Sequence, residues 1–348
     1  MKCEKIKAGC VNIRCPVIPI VLSADNNYGP QTYVTVSSIL KNSNADTCHD
    51  FYLLIPSNFE TRYKVSILEL GIRHGSKINF VDMGTVFANS PLKRDRPTPT
   101  YYRLLIPSLL PNYKKCIYLD TDIIVSRDLM ELFNTDLEGF YIAGVDEWGT
   151  AVDEAKYLSS INLHGVDYYI NSGVLVMNLD LMRRDNVQEK LVAMAKHGID
   201  GKRAFRYPDQ DVLNVVCHGK IKLLDLKFNT CPGTLESALN AEGDRIKIQE
   251  FYGEKQLYDA CSDPVIVHFF GEKPWQSNAA MFDDRWWEIC RLSPFYEEVL
   301  RKYISYCDSR YNKYNYYRNV ILSKLTWGKK RVHYQRRYEE IKKVLGIP

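Results

Sequence analysis

Asp120 and Asp122 stand two residues apart inside the run CIYLDTDIIV, residues 116–125. In an extended chain, positions i and i+2 face the same side, so the pair can set two carboxylates in one cleft. Like charges that close repel unless a cation lies between them, and a divalent metal with oxygen ligands is one solution. A solvated turn aspartate beside a backbone cap is another, and the spacing alone leaves both open. His268 closes a second apolar run, DPVIVHFFGEKPW, residues 263–275. A lone histidine is more often structural than a ligand. Added to two carboxylates, its softer nitrogen favours manganese over magnesium. Gly271 and Lys273, just beyond it, offer a flexible turn and a point charge suited to phosphate. The bland alternative for Lys273 is a surface lysine. Together these residue types describe a diphosphate site.

Other phosphate and nucleophile chemistries lack their signatures. The chain has no GxxxxGK[ST] loop, no GxGxxG fingerprint, no GxSxG elbow, no HExxH pair and no kinase motif set.

The elements that must position these residues read as alternating strands and helices. VIPIVLSADNNYG is a strand running into an Asp/Asn turn, with a helix following from Pro30 to Leu40. HDFYLLIPS, KINFVDM and KCIYLDTDIIV read as further strands, TRYKVSILELGI as an amphipathic helix stopped at Gly71, and YYRLLIPSLL as a helical or mixed segment. FYIAGVDE and GVLVMNLD continue the strands, LMRRDNVQEKLVAMAKHG reads as one helix, and PDQDVLNVVCHG as a short helix with an acidic first turn. This alternation predicts a mainly parallel sheet covered on both faces. Ligands of such sheets sit beyond the carboxyl ends of the strands, where SADNN and DTD both fall.

At 348 residues the chain is long enough for one large α/β domain plus an appendage. Its net charge of +4 is uneven. Residues 301–348 hold 13 Lys/Arg against 3 Asp/Glu, while the rest holds 33 against 39. An acidic body with a basic tail points to an anionic partner for the tail. The ten cysteines include no CxxC pair, which speaks against zinc and for reduced thiols. The first residues lack the apolar core of a signal peptide, and no run reaches 18 apolar residues. A cytoplasmic protein is expected.

Five blocks occur in the order seen in glycosyltransferase family 8: SADNNYGPQTYVTVSSIL, TYYRLLIPSLLPNYKKCIYLDTDIIVSRDLMELFNTDL, YYINSGVLVMNLDLMRR, YPDQDVLNVV and HFFGEKPW. The resemblance covers roughly Ile18 to Trp275, a family that includes bacterial lipopolysaccharide glucosyl- and galactosyltransferases and glycogenin. It implies a GT-A fold, a Rossmann-like mixed and mainly parallel sheet with helices on both faces. It also implies a UDP-sugar donor, Mn²⁺ and retention of anomeric configuration. Carried over, Asp120-Thr121-Asp122 resembles the metal-binding DXD motif, and His268 the third protein ligand. Ser23, Ala24, Asp25 and Asn27 match the loop that holds uracil and ribose. Arg103 matches an arginine near the donor, Asn171 and Ser172 the segment beside the sugar, and Asp209 with Gln210 the pair under the donor sugar. Gly271 and Lys273 match the diphosphate-binding end of the last block, with one residue between them where many members have two.

The resulting expectation is a retaining, metal-dependent hexosyltransferase using UDP-glucose or UDP-galactose and a glycan or lipid-linked glycan acceptor. The alternative is a non-catalytic nucleotide-sugar or glycan-binding protein anchored by its tail. The expected layout is an N-terminal extension at 1–16, a catalytic domain at 17–278 and a helical, basic and aromatic region at 279–348. That last region is expected to meet the inner face of an anionic membrane, with no nucleic acid as partner.

Overall fold

The computed structural model describes residues 16–87, 98–147, 154–198, 205–233, 235–236, 242–271, 273–276 and 281–325, with 330, 332–333, 335–336 and 339. The expected extension at 1–16, with Cys3, Cys10 and Cys15, lies almost wholly outside them. The described residues fall into two compact units, one within 1–230 and 243–268, the other within 231–242 and 269–348.

The first unit is built on a seven-stranded sheet of order β3-β2-β1-β4-β7-β6-β8. Its strands are β1 (Val17–Ser23), β2 (Cys48–Ile55), β3 (Lys77–Asp82), β4 (Lys115–Leu119), β6 (Ile142–Asp146), β7 (Ile170–Asn178) and β8 (Ile221–Leu223). The first four run parallel in space, and β7 is reversed between β4 and β6. β1 is buried at every position but its first, the continuous apolar pattern of a sheet covered on both sides. The reversal of β7 has one consequence for chemistry. It brings the start of β7 to the edge where β1, β4 and β6 end.

A second, two-stranded sheet pairs β5 (Ile123–Val125) with β9 (Ile266–His268), antiparallel, with Ile123 opposite His268. KCIYLDTDIIV is therefore two strands in two sheets. The Asp120–Asp122 segment is the turn between them, not a strand end in which i and i+2 share a face. This turn needs support, because β5 has a strand on one side only. Helix α1 (Gly29–Lys41) and its C-terminal cap Asn42 supply the other side with polar groups at i, i+3 and i+7. Thr35 Oγ1 donates to the carbonyls of Thr121 and Ile123, both at 2.9 Å. Ser38 Oγ accepts from Val125 N at 3.0 Å, and Asn42 Nδ2 donates to Val125 O at 2.9 Å. Each buried backbone group left unpaired would cost about 1–3 kcal/mol, so these side chains act in place of a strand.

Two other expectations are corrected. Helix α2 (Thr61–Arg73) runs through Gly71. A Cβ there would lie 2.4 Å from Ile78 Cγ1, so glycine serves the close approach of β3. The chain turns away afterwards, with Gly75 at φ +65°. The expected single helix at LMRRDNVQEKLVAMAKHG is two, Leu179–Arg184 and Val187–His197, because Asn186 takes a left-handed conformation at φ 50°. The predicted helix at PDQDVLNVV is present as Pro208–Val216, with proline in its first turn.

The second unit carries helices Asp283–Cys290 and Tyr296–Leu325. They join through aromatic edges. Trp286 lies 5.0 Å from Trp275 and 5.1 Å from Trp287, and Trp287 lies 5.4 Å from Tyr303.

Candidate active site

β1 and β4 leave the sheet side by side, with Leu22 opposite Leu119. Ser23 and Asp120 therefore emerge one step later at the same edge. Asp120 N donates to Gly173 O at 2.8 Å, which ties the turn to the start of β7. Asp120, Asp122 and His268 converge here, each offering a ligand atom, all within 4.8 Å of one another. His268 Nε2 is 3.2 Å from Asp122 Oδ1 and 3.9 Å from Asp120 Oδ2.

Gly173 makes this convergence possible. A Cβ on it would fall 2.3 Å from His268 Cε1 and 2.9 Å from Asp120 Oδ2. Only a residue without a side chain leaves room for both ligands.

The other oxygen of Asp120 is occupied. Oδ1 accepts from Arg103 Nη2 and from Tyr118 OH, both at 2.7 Å. Arg103 is buried in a 3₁₀ segment, Thr98–Leu105, and its fork reaches three further residues. Nη1 donates to Ser172 O at 2.7 Å and meets Asp209 Oδ2 at 3.0 Å, and Nε donates to Thr100 O at 3.1 Å. Its plane lies over the Tyr118 ring, 4.4 Å from the centroid. Burial works against its charge, but Asp120 and Asp209 outweigh that and raise its pKa. Burial also raises the pKa of Asp209, with Arg103 pulling it down and Asp120 pushing it up. Two carboxylates thus share one guanidinium, and that of Asp122 lies close to Asp120, so the cluster still calls for positive charge.

Asp209 and Gln210 sit in the first turn of the Pro208–Val216 helix. Ser172 Oγ donates to Asp209 Oδ2 at 2.7 Å. Gln210 Oε1 accepts from Ser172 N at 3.1 Å, and Nε2 donates to Glu147 Oε2 at 2.7 Å. Asn214 anchors this helix to β7 by bonding both the N–H and the C=O of Ile170 at 2.9 Å. Asp211, fully buried, accepts from the hydroxyls of Tyr157 and Tyr169 and holds the helix start. Asn171 Nδ2 donates to Glu147 Oε2 at 3.2 Å.

The structure therefore brings together Arg103, Asp120, Asp122, Asn171, Ser172, Asp209, Gln210 and His268. Thr121 contributes its carbonyl to the α1 anchor. Asp25 caps the short 3₁₀ turn Asn26–Tyr28 and accepts from Asn27 N at 2.9 Å. Ala24 N bonds Leu54 O, and the buried Ser23 hydroxyl has no protein partner among the described residues. Gly271, at φ +90°, and Lys273, whose Nζ donates to Phe269 O at 2.6 Å, belong to the second unit.

Four residues that the motifs did not single out complete the network: Tyr118, Glu147, Gly173 and Asn229. Glu147 had a signal, since it follows a strand whose carboxyl end lies at the same sheet edge. Asn229, in KFNT, had none.

The donor set suits a divalent cation. It combines two carboxylates with an imidazole nitrogen, a mixture that fits manganese and its neighbours. Nε2 of His268 lies beside both carboxylates, where a bound cation would take its lone pair.

The sheet order, with a mainly parallel set interrupted by a reversed strand beside an acidic turn, is that of GT-A glycosyltransferases. The family model for glycosyl transferase family 8 matches residues 19–279, and the chain belongs to that family. A Haemophilus influenzae chain named as a glycosyltransferase is 31% identical over 255 residues, 72% of this chain and 71% of that one. An Escherichia coli lipopolysaccharide 1,2-glucosyltransferase is 28% identical over 298 residues, 80% of each chain. Among solved structures, the galactosyltransferase LgtC with donor and acceptor sugar analogues gives a TM-score of 0.68 at 24% identity, covering 80% of this chain and 96% of that one. The bifunctional glycosyltransferase WbbM gives 0.71 at 23%, covering 82% of this chain. This chain spans only about half of WbbM, 51% of its length.

Asp146, beside Glu147, provides a test of the site's surroundings. It accepts from Tyr169 N at 2.6 Å. Burial pushes its carboxyl up from 3.8 to about 7, against that bond, and Glu147 adds to the rise. The folded state therefore holds a proton that the unfolded state loses first. The associated stability is whole below about pH 4 and is lost as pH rises through about 7. Asp146→Asn keeps the acceptor for Tyr169 N–H and cannot ionise. Its gain in urea midpoint over wild type should be larger at pH 8 than at pH 5. An equal gain at both would show that Asp146 ionises as easily folded as unfolded.

Proposed function

We propose that the chain transfers a hexosyl group, glucose or galactose, from a UDP-sugar to a glycan or lipid-linked glycan in lipopolysaccharide-type synthesis, with retention and with Mn²⁺. The observation that carries this reading is the convergence of Asp120, Asp122 and His268 beside Asp209 and Gln210. A bound divalent cation would supply charge stabilisation to the diphosphate leaving group.

The protein's own groups then have separable tasks. Ser23, Ala24, Asp25 and Asn27 hold uracil and ribose. Gly271 and Lys273 bind the diphosphate, the lysine adding positive charge as the leaving group departs. Arg103 fixes Asp120 through one oxygen and leaves the other to the cation. Asn171, Ser172 and Asp209 line the sugar. Gln210 stabilises positive charge developing at the anomeric carbon. An amide is a poor nucleophile, so retention follows from displacement on one face. The bond from the anomeric carbon to the phosphate oxygen breaks, the bond to the acceptor oxygen forms on the same side, and the acceptor proton passes to the departing diphosphate.

The expected membrane attachment draws support from the helix Tyr296–Leu325. Tyr314, Tyr317, Ile321 and Leu325 recur at intervals of three and four and are all more than half exposed. Lys313, Arg318 and Lys324 lie among them. Each basic residue near an anionic surface contributes about 1 kcal/mol, and aromatic rings suit the headgroup level. No helix among the described residues is long and apolar enough to cross a membrane.

Asp122→Asn removes one charge from the cation site with little change in volume. The variant should fold, by circular dichroism, yet lose nearly all Mn²⁺ binding by electron paramagnetic resonance and nearly all transfer from UDP-sugar. Wild-type metal affinity would exclude Asp122 as a ligand.

Gln210→Ala should lower kcat by ~10²–10³-fold, the range for removing one preorganised transition-state group. UDP affinity should change far less. Equal losses in both would move Gln210 away from the reacting carbon.

For the tail, the full chain should sediment with anionic vesicles at low salt and release at high salt, as screened attraction requires. Replacing Lys313, Arg318 and Lys324 together by glutamate should abolish sedimentation while leaving hydrolysis of UDP-sugar unchanged. Undiminished binding to both neutral and anionic vesicles would rule out electrostatic attachment.

A further inference from the structure

Asn229 is 2% exposed and lies between the sugar-side residues and the histidine of the cation site. It ends a 3₁₀ turn, Leu226–Phe228, and its neighbour Thr230 is tied to β9. Thr230 N donates to Ile266 O and His268 N to Thr230 O, both at 2.9 Å. Asn229 and His268 are thereby held on adjacent extended segments.

The polarity of the contacts between them is fixed from one end. Gly173 N is a backbone N–H and can only donate, so the atom of Asn171 that it meets at 2.9 Å is an oxygen. That same Oδ1 lies 2.9 Å from the Asn229 side chain, which must therefore present its NH₂ group. The remaining Asn229 oxygen then faces His268 Nδ1 at 3.0 Å. An acceptor there demands an N–H at Nδ1. The far end agrees, since Asn171 Nδ2 meets the Glu147 carboxylate, which accepts only. Neither amide can flip without setting two acceptors or two donors against each other.

We propose that Asn229 is a positioning residue that sets the tautomer of His268. By holding the proton on Nδ1 it turns the Nε2 lone pair toward Asp120 and Asp122, where the cation would bind. This rests on the reading of Asp120, Asp122 and His268 as a metal site. Histidine ligands are commonly oriented through their second nitrogen, and loss of that partner typically costs ~10–100-fold in metal affinity. A backbone donor at Gly173, two amides and the imidazole thus form one directed relay, and the histidine's readiness to coordinate exists before any cation arrives.

The test begins with the full-length, metal-free protein. Long-range ¹⁵N NMR of the histidine rings, with His268 assigned by His268→Gln, should find its proton on Nδ1. Asn229→Ala should remove that preference and weaken Mn²⁺ binding ~10–100-fold by electron paramagnetic resonance. Asn229→Asp keeps an acceptor toward Nδ1 but sets a carboxylate oxygen against Asn171 Oδ1, so it should restore the tautomer while melting at a lower temperature than wild type. It also serves as the decisive variant where Asn229→Ala does not fold by thermal melt. A proton on Nε2 alone in wild type overturns the proposal, as does wild-type Mn²⁺ affinity in folded Asn229→Ala or failure of Asn229→Asp to restore the tautomer. A wild-type protein that shows the Nδ1–H form yet binds no Mn²⁺ would instead overturn the metal reading and leave the tautomer assignment standing.

Discussion

The buried guanidinium of Arg103 is the constraint on which the site depends. It spans β4, β7 and the Pro208–Val216 helix through Asp120, Ser172 and Asp209. Such a group is tolerated inside a protein only when its donors are met by acceptors in fixed directions. Removing one partner of a buried pair typically costs ~3–5 kcal/mol. The planar fork matters as much as the charge, because a lysine could not meet Asp120, Ser172 and Thr100 at once. Arg103 also divides the labour of Asp120. One oxygen is bound to the protein and the other faces His268, so the carboxylate is oriented before any ligand binds.

Orientation at that level needs a stiff frame, and the frame comes from an unusual use of α1. Eleven of its thirteen residues are buried, including Thr32, Thr35 and Ser38. Hydroxyls on such a helix would be wasteful unless they met unpaired backbone. Those of Thr35 and Ser38 do, along Thr121–Val125, while that of Thr32 turns back to Tyr28 O. The acidic turn is therefore held by β7 through Asp120 N, by β9 through the β5 ladder, and by α1 through side chains. Glycine at 173 then lets the imidazole and carboxylate approach more closely than any other residue at that position would allow.

Much of this was legible in the sequence, for physical reasons. Strand ends in a mainly parallel sheet collect at one edge, so SADNN and DTD could be grouped before any coordinates, while His268 joined them through its donor chemistry and the family resemblance. What failed to show was the path of the backbone. Asp120 and Asp122 converge because the chain leaves one sheet for another, and no local pattern distinguishes that from one long strand. Gly71 read as a helix stop because its close approach to Ile78 is a tertiary contact. Asn186 hid its left-handed conformation inside an apolar period that continues on either side. Asn229 carried no signal at all, since its value lies in facing two side chains that are distant in sequence.

The same polarity argument explains why residue 210 is an amide. Its side chain meets a backbone donor on one side, Ser172 N, and a carboxylate acceptor on the other, Glu147 Oε2. Only a group with one acceptor and one donor face satisfies both. A glutamate there would set two carboxylates against each other at hydrogen-bond distance, and one would have to take up a proton. A leucine would leave the Ser172 N–H buried and unpaired. The absence of a nucleophilic carboxylate at this position is thus built into the fold. The amide joins Asp209, Asp211 and Asn214 in holding the helix start against β7, and the retaining chemistry proposed above is one that such a side chain can serve without forming a bond to the sugar.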